Sequence, residues 1–568
     1  MPTGTDGDKR PATLDNRLWI VADVRLDARA ELIEKLKKQS DDTSGISLST
    51  PDAELILHAY RAWDDACVDH LLGDFSFAIW DSTRQRLFCA RDQMGVKPFF
   101  YAHVGSLVVI SNTLECVRRH PAVSRKLNDL GIADFLLFEM NQDPATTTFA
   151  DVNRLPAAHV LECDRNSFSV RRYWTLSVLE PIIFKHEHEY IERFLELLDQ
   201  AVADRMPGDS AGIMLSGGLD SSTIAASARR IVTKFDNKTE LFAYTSVLNN
   251  LVPDKEGHFA SLVAMKLNIP VVLQALDEYR LFDRAGEPEC LQSEPENSAW
   301  PGNYVDQLRE ISKKSKVALN GQGSDPGFAS RITVHFSQLL NQGRYFQALA
   351  DATEYLSAKG RFSRLYIRGR LRALISNQNP YYDFPGWLNE DFERNFGLRD
   401  RWITYALSNW DAIRRVESTF SGFRPEAILV MSHVGWQKTF EEFDPGTTRS
   451  PVEVRYPFFD LRLVTFLLRL PRLPWCCDKE MLRRAGRGVL PELVRLRPKA
   501  PLRHDPTLAV LQKPESAWVD HFEPIPQLDQ YIDRAKVPPV YMEKIPSKAW
   551  LNLRPLSLKF WLQGVNGL

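Results

Sequence analysis

The sequence predicts an α/β protein of two domains. The first is an antiparallel β/α domain, and the second is built on a parallel sheet and ends in a helical part. Three observations carry this reading. Short apolar or aromatic runs separated by polar or glycine-containing breaks fill the chain from Leu18 to Asn112. Helix-like and strand-like segments alternate from Glu189 onward. A stretch reading AGIMLSGGLDSSTIAASARRI, Ala211–Ile231, sets a glycine turn between an apolar run and a helix-like run. The character of the chain changes near 182–188, which places the domains at 1–182 and 188–568.

In the first domain LWIVADVRL (18–26) reads as a strand and ARAELIEKLKK as a helix. DFSFAIWD, RLFCARD, PFFYAHV and SLVVISN follow as strands of an antiparallel meander. The second domain opens with EYIERFLELLDQAVADRM, which sets Ile191, Phe194, Leu195, Leu198 and Val202 on one helical face. The order is then strand, glycine loop, helix, strand (LFAYTSVL), helix and strand (VVLQAL), as a parallel sheet with helices on both faces requires. Beyond about Ser330 the chain reads as mostly helical and rich in aromatic residues.

Composition bounds the function. At 568 residues, 44% hydrophobic and 25% charged, the chain can bury a large core without a metal or disulfide staple. A formal net charge of -2 gives no footprint for nucleic acid or a membrane surface. No apolar stretch approaches membrane-spanning length and no signal peptide is visible, so a cytoplasmic location is expected. The seven cysteines lack paired spacing, which argues against a disulfide framework or a zinc site; adjacent Cys476 and Cys477 are expected to be buried small residues.

The glycine turn carries the chemistry. A strand, a glycine turn and a helix N-terminus make an anion site, because backbone N–H groups point outward and the helix dipole favours negative charge. Gly217 and Gly218 allow a phosphate to approach the backbone, Leu219 leads into the helix, and Ser216, Ser221 and Ser222 supply hydroxyls. Asp220 would repel a bare phosphate, so a bridging cation is expected, most simply Mg2+. The Lys-Ser/Thr ending of a Walker loop is absent. Ser-Gly-Gly-Leu-Asp-Ser-Ser resembles the pyrophosphate loop of ATP pyrophosphatases, which implies ATP as the substrate cleaved between its α and β phosphates. A second loop, KVALNGQGSDPGF (316–328), repeats the logic: strand Val317–Leu319, then Gly321 and Gly323, with Asp325 as a second candidate metal carboxylate.

Two later runs, VEVRYPFFDLRLVTFLLRLP (452–471) and DKEMLRRAGRGVLPELVRLRPK (478–499), resemble the synthetase domain of asparagine-synthetase-type enzymes. GDFSFAIWDSTRQRLFCARDQMGVKPFFY (73–101) resembles the glutaminase-like, N-terminal-nucleophile-type domain of the same superfamily. The resemblance implies an ATP-pyrophosphatase-type synthetase fold behind a shortened, degenerate glutaminase-like domain. It implies metal-binding roles for Asp220 and Asp325, and a pyrophosphate cradle from Ser216, Gly217, Gly218, Ser221 and Ser222. It also implies phosphate contacts for Lys479 and Lys499, and a general-base role near the acceptor amine for Glu453. Asp325-Pro326 departs from ammonia-using relatives, which place an acidic residue after the aspartate.

A glutaminase of this superfamily attacks with an N-terminal cysteine. Met1 and Pro2 offer no thiol and the first cysteine is Cys67, so glutamine hydrolysis and an internal ammonia supply are expected to be absent. β-Lactam synthetases and lasso-peptide macrolactam synthetases share that absence. LWIVADVRLDARAEL, the 452–471 run and PLSLKFWLQG are most similar to the lasso cyclases. That resemblance implies adenylation of an Asp or Glu side chain of a precursor core peptide, then closure of an isopeptide bond by its N-terminal amine. It implies as partners the precursor peptide, a leader-peptide-binding protein and a leader peptidase, with no nucleic acid and no membrane. The aromatic residues Trp402, Tyr405, Trp410, Phe420, Phe423, Trp436 and Phe440 are expected to pack the core, with some shaping the pocket. The competing readings are a ligase acting on a small molecule, a non-catalytic scaffold and a tRNA-modifying pyrophosphatase; the missing basic excess weighs against the last.

Overall fold

The computed structural model describes residues 11–39, 45–177, 180–234, 238–252, 254–330, 332–341, 343–359, 384–405, 424–498 and 505–567. Fourteen strands form three sheets among them.

The N-terminal strands are β1 (Ala12–Thr13), β2 (Leu18–Leu26), β3 (Gly73–Asp81), β4 (Arg86–Arg91), β5 (Phe100–Val104), β6 (Leu107–Ser111), β7 (Asn153–Arg154), β8 (His159–Cys163) and β9 (Phe168–Arg172). The expected single meander divides. β1-β2-β3-β4-β8-β9 form one antiparallel sheet, and β5 leaves it to pair with β6 and β7 in a second. The physical reason lies in the alternation along β3. Phe75, Phe77 and Ile79 pack on helices α1 (Arg29–Gln39) and α2 (Asp52–Trp63), whereas Ala78 faces Phe99 and Tyr101 on and beside β5. Both faces of the first sheet therefore need apolar cover, and the second sheet supplies one of them. Helices α3 (Leu114–Arg118) and α4 (Asp129–Phe138) close the outer side of the second sheet through Leu114, Val117 and Ile132 against Phe100 and Ala102. The result is a helix–sheet–sheet–helix sandwich.

The second domain starts with α5 (Glu187–Arg205), whose Phe194, Leu198 and Val202 are buried as the 3.6-residue pattern requires. Five strands then form one parallel sheet: β10 (Ser210–Met214), β11 (Glu240–Val247), β12 (Val271–Ala275), β13 (Val317–Leu319) and β14 (Glu453–Arg455). Their order is β12-β11-β10-β13-β14. The chain steps outward on one side of β10 and then crosses to the other, so the direction of winding reverses between β10 and β13. That reversal opens a crevice beyond the carboxyl ends of these two strands. Helices α6 (Leu219–Lys234), α7 (Glu256–Lys266) and α8 (Pro301–Ser312) cover the sheet. The remainder is chiefly helical. The last helix, Pro546–Gly567, returns to pack Leu556 and Trp561 in one core with Phe135 and Phe149 of the first domain.

A buried ionic knot joins the two domains. Arg205, at the C-terminal end of α5, lies 2.9 Å from Asp460, 3.2 Å from Asp27 and 3.4 Å from Asp74. Arg25 pairs with Asp27 and, at 2.6 Å, with Asp74. Asp460 caps helix Leu461–Leu468 by accepting the Arg462 N–H. Arg25, Arg205 and Arg462 pair with the close carboxylates Asp27, Asp204 and Asp460, so each member of that cluster already has a guanidinium partner. Removing one partner of such a buried pair strands the others, at a cost of about 3–5 kcal/mol. Arg205→Met is therefore expected to lower the thermal unfolding midpoint sharply while Arg193→Met, on the same helix and exposed, leaves it unchanged; equal midpoints for the two variants, read by circular dichroism, would contradict this.

Candidate active site

Both glycine loops leave neighbouring strands at the crevice. β10 runs through Leu215 into Ser216-Gly217-Gly218, and α6 begins at Leu219. β13 runs into Asn320-Gly321-Gln322-Gly323, and the short helix α9 (Ser324–Gly327) begins at once. Gly217 has a φ of 66°, and a Cβ there would fall 2.6 Å from the Ala260 nitrogen of α7. Gly321 lies so close to the start of α6 that a Cβ would meet the Ser221 nitrogen at 2.8 Å. The two loops thus touch through glycine, and no larger residue leaves them in contact.

The serines form the lip of the first loop. The Ser221 hydroxyl accepts the Ser216 N–H at 3.1 Å and lies 3.1 Å from the Ser216 hydroxyl. Ser222 Oγ is fully buried and has no hydrogen-bond partner among the described residues. The first N–H groups of a helix have no partners within the helix, and in α6 the Ser222 N–H donates back to the Gly218 carbonyl at 3.2 Å. A cleft of about 410 Å3 lies over both loops. Its lining includes Ser216, Asp220, Ser221, Gly321, Gly323 and Asp325.

Lys479 closes this group from a distant part of the chain. Its ammonium donates to Asp220 Oδ1 and Oδ2 at 2.7 and 2.6 Å and lies 2.7 Å from Asp325 Oδ1. Ser324 Oγ donates to Asp220 Oδ1 at 2.8 Å. Asp478 and Lys479 have φ values of 51° and 57°, two successive non-glycine residues in the left-handed region, directly before helix Glu480–Ala485. Two hard carboxylates converging on one positive charge are the donor set a Mg2+ ion takes beside polyphosphate oxygens. The residues therefore fit that ion, which Asp220 and Asp325 would hold.

The predicted residues do not all meet. Ser216, Gly217, Gly218, Leu219, Asp220, Ser221, Ser222, Gly321, Gly323, Asp325 and Lys479 come together. Lys499 lies outside the described residues, as do Trp410, Phe420 and Phe423. Glu453 is not among the residues lining the cleft. Its carboxylate lies 2.8 Å from Lys97 Nζ and 2.9 Å from Arg455 Nε. Burial pushes its pKa up, but the Lys97 and Arg455 charges outweigh burial and hold it well below the usual carboxylate range. So placed, it is ionised at neutral pH and held by two cations.

Lys97 comes from the first domain, and the run around it explains itself. The buried Arg91 guanidinium donates to the carbonyls of Lys97, Leu155 and Gly95 at 2.7, 2.9 and 2.8 Å. Asp92 accepts the N–H groups of Met94, Val96 and Lys97 at 3.1, 3.0 and 3.0 Å. RDQMGVK is thus wound around its own Arg-Asp pair and presents Lys97 between Asp23 and Glu453, at 2.7 and 2.8 Å.

The sequence reading missed Tyr244, Glu256, Gln307 and Asn320 in the lining. Asn320 adjoins the second glycine loop and was within reach of a motif reading; the others come from packing alone. Burial, then the neighbouring Asp254 charge, pushes the Glu256 carboxyl up to about 7. Of the singled-out aromatic residues, Trp436 lines the cleft, Phe440 is buried beside it, and Trp402 and Tyr405 pack on Phe384 and Phe138. Cys476 is buried as expected and Cys477 partly so.

Asp444 supplies a pH dependence. Burial, with the charge of Asp23 next, pushes its carboxyl from 3.8 up to about 7. The folded protein then holds that proton more tightly than the unfolded chain. The stabilisation is complete below about pH 4 and is lost as pH rises through 7. Asp444→Asn is expected to remove this component. The gap in melting temperature between variant and parent should shift in favour of the variant between pH 5 and pH 8; a constant gap would refute it.

Comparison with known proteins places these features in a family. Residues 8–174 match the glutamine amidotransferase domain model and residues 193–563 match the asparagine synthase model. The chain is 24% identical over 468 residues to asparagine synthetase [glutamine-hydrolyzing] 3 of Bacillus subtilis, covering 80% of this chain and 70% of that protein. It is 25% identical over 484 residues to asparagine synthetase [glutamine-hydrolyzing] 2 of the same organism, covering 80% of this chain and 58% of the relative. It is 25% identical over 508 residues to a putative asparagine synthetase of Mycobacterium bovis, covering 84% and 73%. No helix among the described residues is long and apolar enough to cross a membrane. With a synthetase match spanning most of its length and two glycine loops meeting at the switch point of a parallel sheet, the chain belongs to the asparagine synthase family.

Proposed function

We propose that this chain closes a macrolactam in lasso-peptide biosynthesis: it adenylates an Asp or Glu side chain of a precursor core peptide and joins it to the peptide's N-terminal amine. The chain is an asparagine-synthetase-type, ATP-dependent amide ligase, and its family uses ATP with Mg2+. The observation that carries the reading is the convergence of Asp220, Asp325 and Lys479 over two contacting glycine loops.

The proposed chemistry follows from the residues. N–H groups at the start of α6 and the hydroxyls of Ser216 and Ser221 hold the β and γ phosphates. Asp220 and Asp325 would hold Mg2+, which when bound neutralises charge on the leaving pyrophosphate. The peptide carboxylate oxygen bonds to the α phosphorus as the bond to pyrophosphate breaks. Lys479 neutralises the charge that develops there, and Lys499 is proposed to do the same. The amine nitrogen then bonds to the acyl carbon, AMP leaves, and the amine gives up a proton. Glu453 remains on the acceptor side of this proposal. Ionised beside Lys97 and Arg455, its contribution is an electrostatic one on the incoming amine rather than proton uptake. Enclosure of the adenylate keeps water from it, and held termini raise the effective concentration of the amine to ~10⁵ M or more.

The same proposal excludes glutamine as a nitrogen source. Of the first-domain cysteines, Cys67 and Cys89 are buried in the core, where burial raises both thiols above their usual range, while Cys163 is half-buried and Cys116 is exposed. The peptide and a leader peptidase with its leader-binding protein are the proposed partners. A second reading, amide formation on a small molecule, draws on the names of the relatives.

Incubation of candidate precursor peptides with the protein, ATP, Mg2+ and a matching peptidase should yield a product lighter by one water in mass spectrometry, with AMP and pyrophosphate released. Asp220→Asn should abolish it. Asparagine formed from aspartate and ammonia, with every peptide left unchanged, would instead establish the second reading. Gly321→Ala parts the two loops and is expected to lower pyrophosphate release by about 10²-fold, measured by a coupled phosphate assay; full activity would mean the loops need no contact.

A further inference from the structure

The Lys479 ammonium has three N–H groups, and among the described residues the three acceptors it meets are carboxylate oxygens: Asp220 Oδ1, Asp220 Oδ2 and Asp325 Oδ1. The lysine side chain is 13% exposed, against 58% for Asp325, so the cation sits under the carboxylates rather than on the surface. Its direction is set by the backbone, since Asp478 and Lys479 are both left-handed and helix Glu480–Ala485 follows immediately. Met481 and Leu482 of that helix are buried in the core that also holds Ile224 and Ala225 of α6, so the lysine is carried on a rigid element packed against the first loop. Asp220 is fixed independently by Ser324.

A divalent cation held by Asp220 and Asp325 would need the same oxygens. It would also stand beside a like charge with little water between them. A nucleotide changes the balance, because its phosphates bring several negative charges and many acceptor oxygens. They give the ammonium new partners and complete the ligand set of the metal. We propose that Lys479 and a divalent cation are competing counter-ions for the Asp220–Asp325 pair, so that metal enters this site only together with the polyphosphate of the nucleotide. The proposal rests on the nucleotide reading of the cleft and adds to it an order of binding. Lys479 thereby blocks metal loading in the absence of substrate.

Mn2+ serves as the probe, with bound and free ion counted by electron paramagnetic resonance on the full-length protein. The parent is expected to bind Mn2+ alone weakly and Mn2+ with α,β-methylene-ATP tightly. Lys479→Met should bind Mn2+ alone at least about tenfold more tightly than the parent. Adding Asp220→Asn to that variant should remove the gain, which locates the ion. Lys479→Gln repeats the comparison with a polar side chain, and melting curves confirm that each variant is folded. Equal affinity of parent and both Lys479 variants for Mn2+ alone would overturn the proposal, as would parent binding of Mn2+ that the analogue does not tighten. Calorimetry with the analogue separates the two claims. Failure of the analogue to bind the parent in the presence of Mg2+ would count against the nucleotide reading, while the parent-against-variant comparison with Mn2+ alone still decides the competition.

Discussion

Arg205 is the side chain on which the relation between the two domains depends. It ends the helix that opens the synthetase domain, where a cation also suits the negative end of the helix dipole. Its guanidinium reaches Asp27 and Asp74 of the first domain and Asp460, the cap of a helix in the second. A buried arginine cannot shed its charge, so each carboxylate around it must keep station. This constrains β2 and β3 against the segment after β14, and so fixes where the first domain delivers the RDQMGVK loop. Lys97 meets Glu453 because that docking is rigid.

The same economy governs the site. The crevice is a consequence of strand order: β10 and β13 are neighbours whose following segments diverge, and both end in glycine turns that open helices. Each turn offers backbone N–H groups, and a phosphate chain is a ligand that both can share. Two carboxylates are brought together there, and Lys479 pairs with both. The first domain, matched to a glutamine amidotransferase model, meets the synthetase half through charge: its Lys97 pairs with Glu453 at the end of the parallel sheet.

Much of this was legible from residues alone. The helix of 187–205 followed from five apolar residues at helical spacing, and the first loop from two glycines between an apolar strand and a serine-led helix. The division of the N-terminal strands into two sheets was not legible. β5 and β6 carry the same alternating apolar signal as β3 and β4, and only the need to cover the second face of β3 decides which strand pairs where. Glu453 shows the same limit. Its motif was readable, but its ion-pair partner Lys97 lies 356 residues away in the chain.

Local chemistry in this protein was set by the sequence: which turns can offer N–H groups to an anion, which helices are amphipathic, and which residue types can hold a metal or a phosphate. These depend on neighbours within a few positions, where spacing fixes geometry. Tertiary structure alone decided the charge state and company of those groups, because Coulombic interactions and burial act through space between segments that chain order keeps far apart.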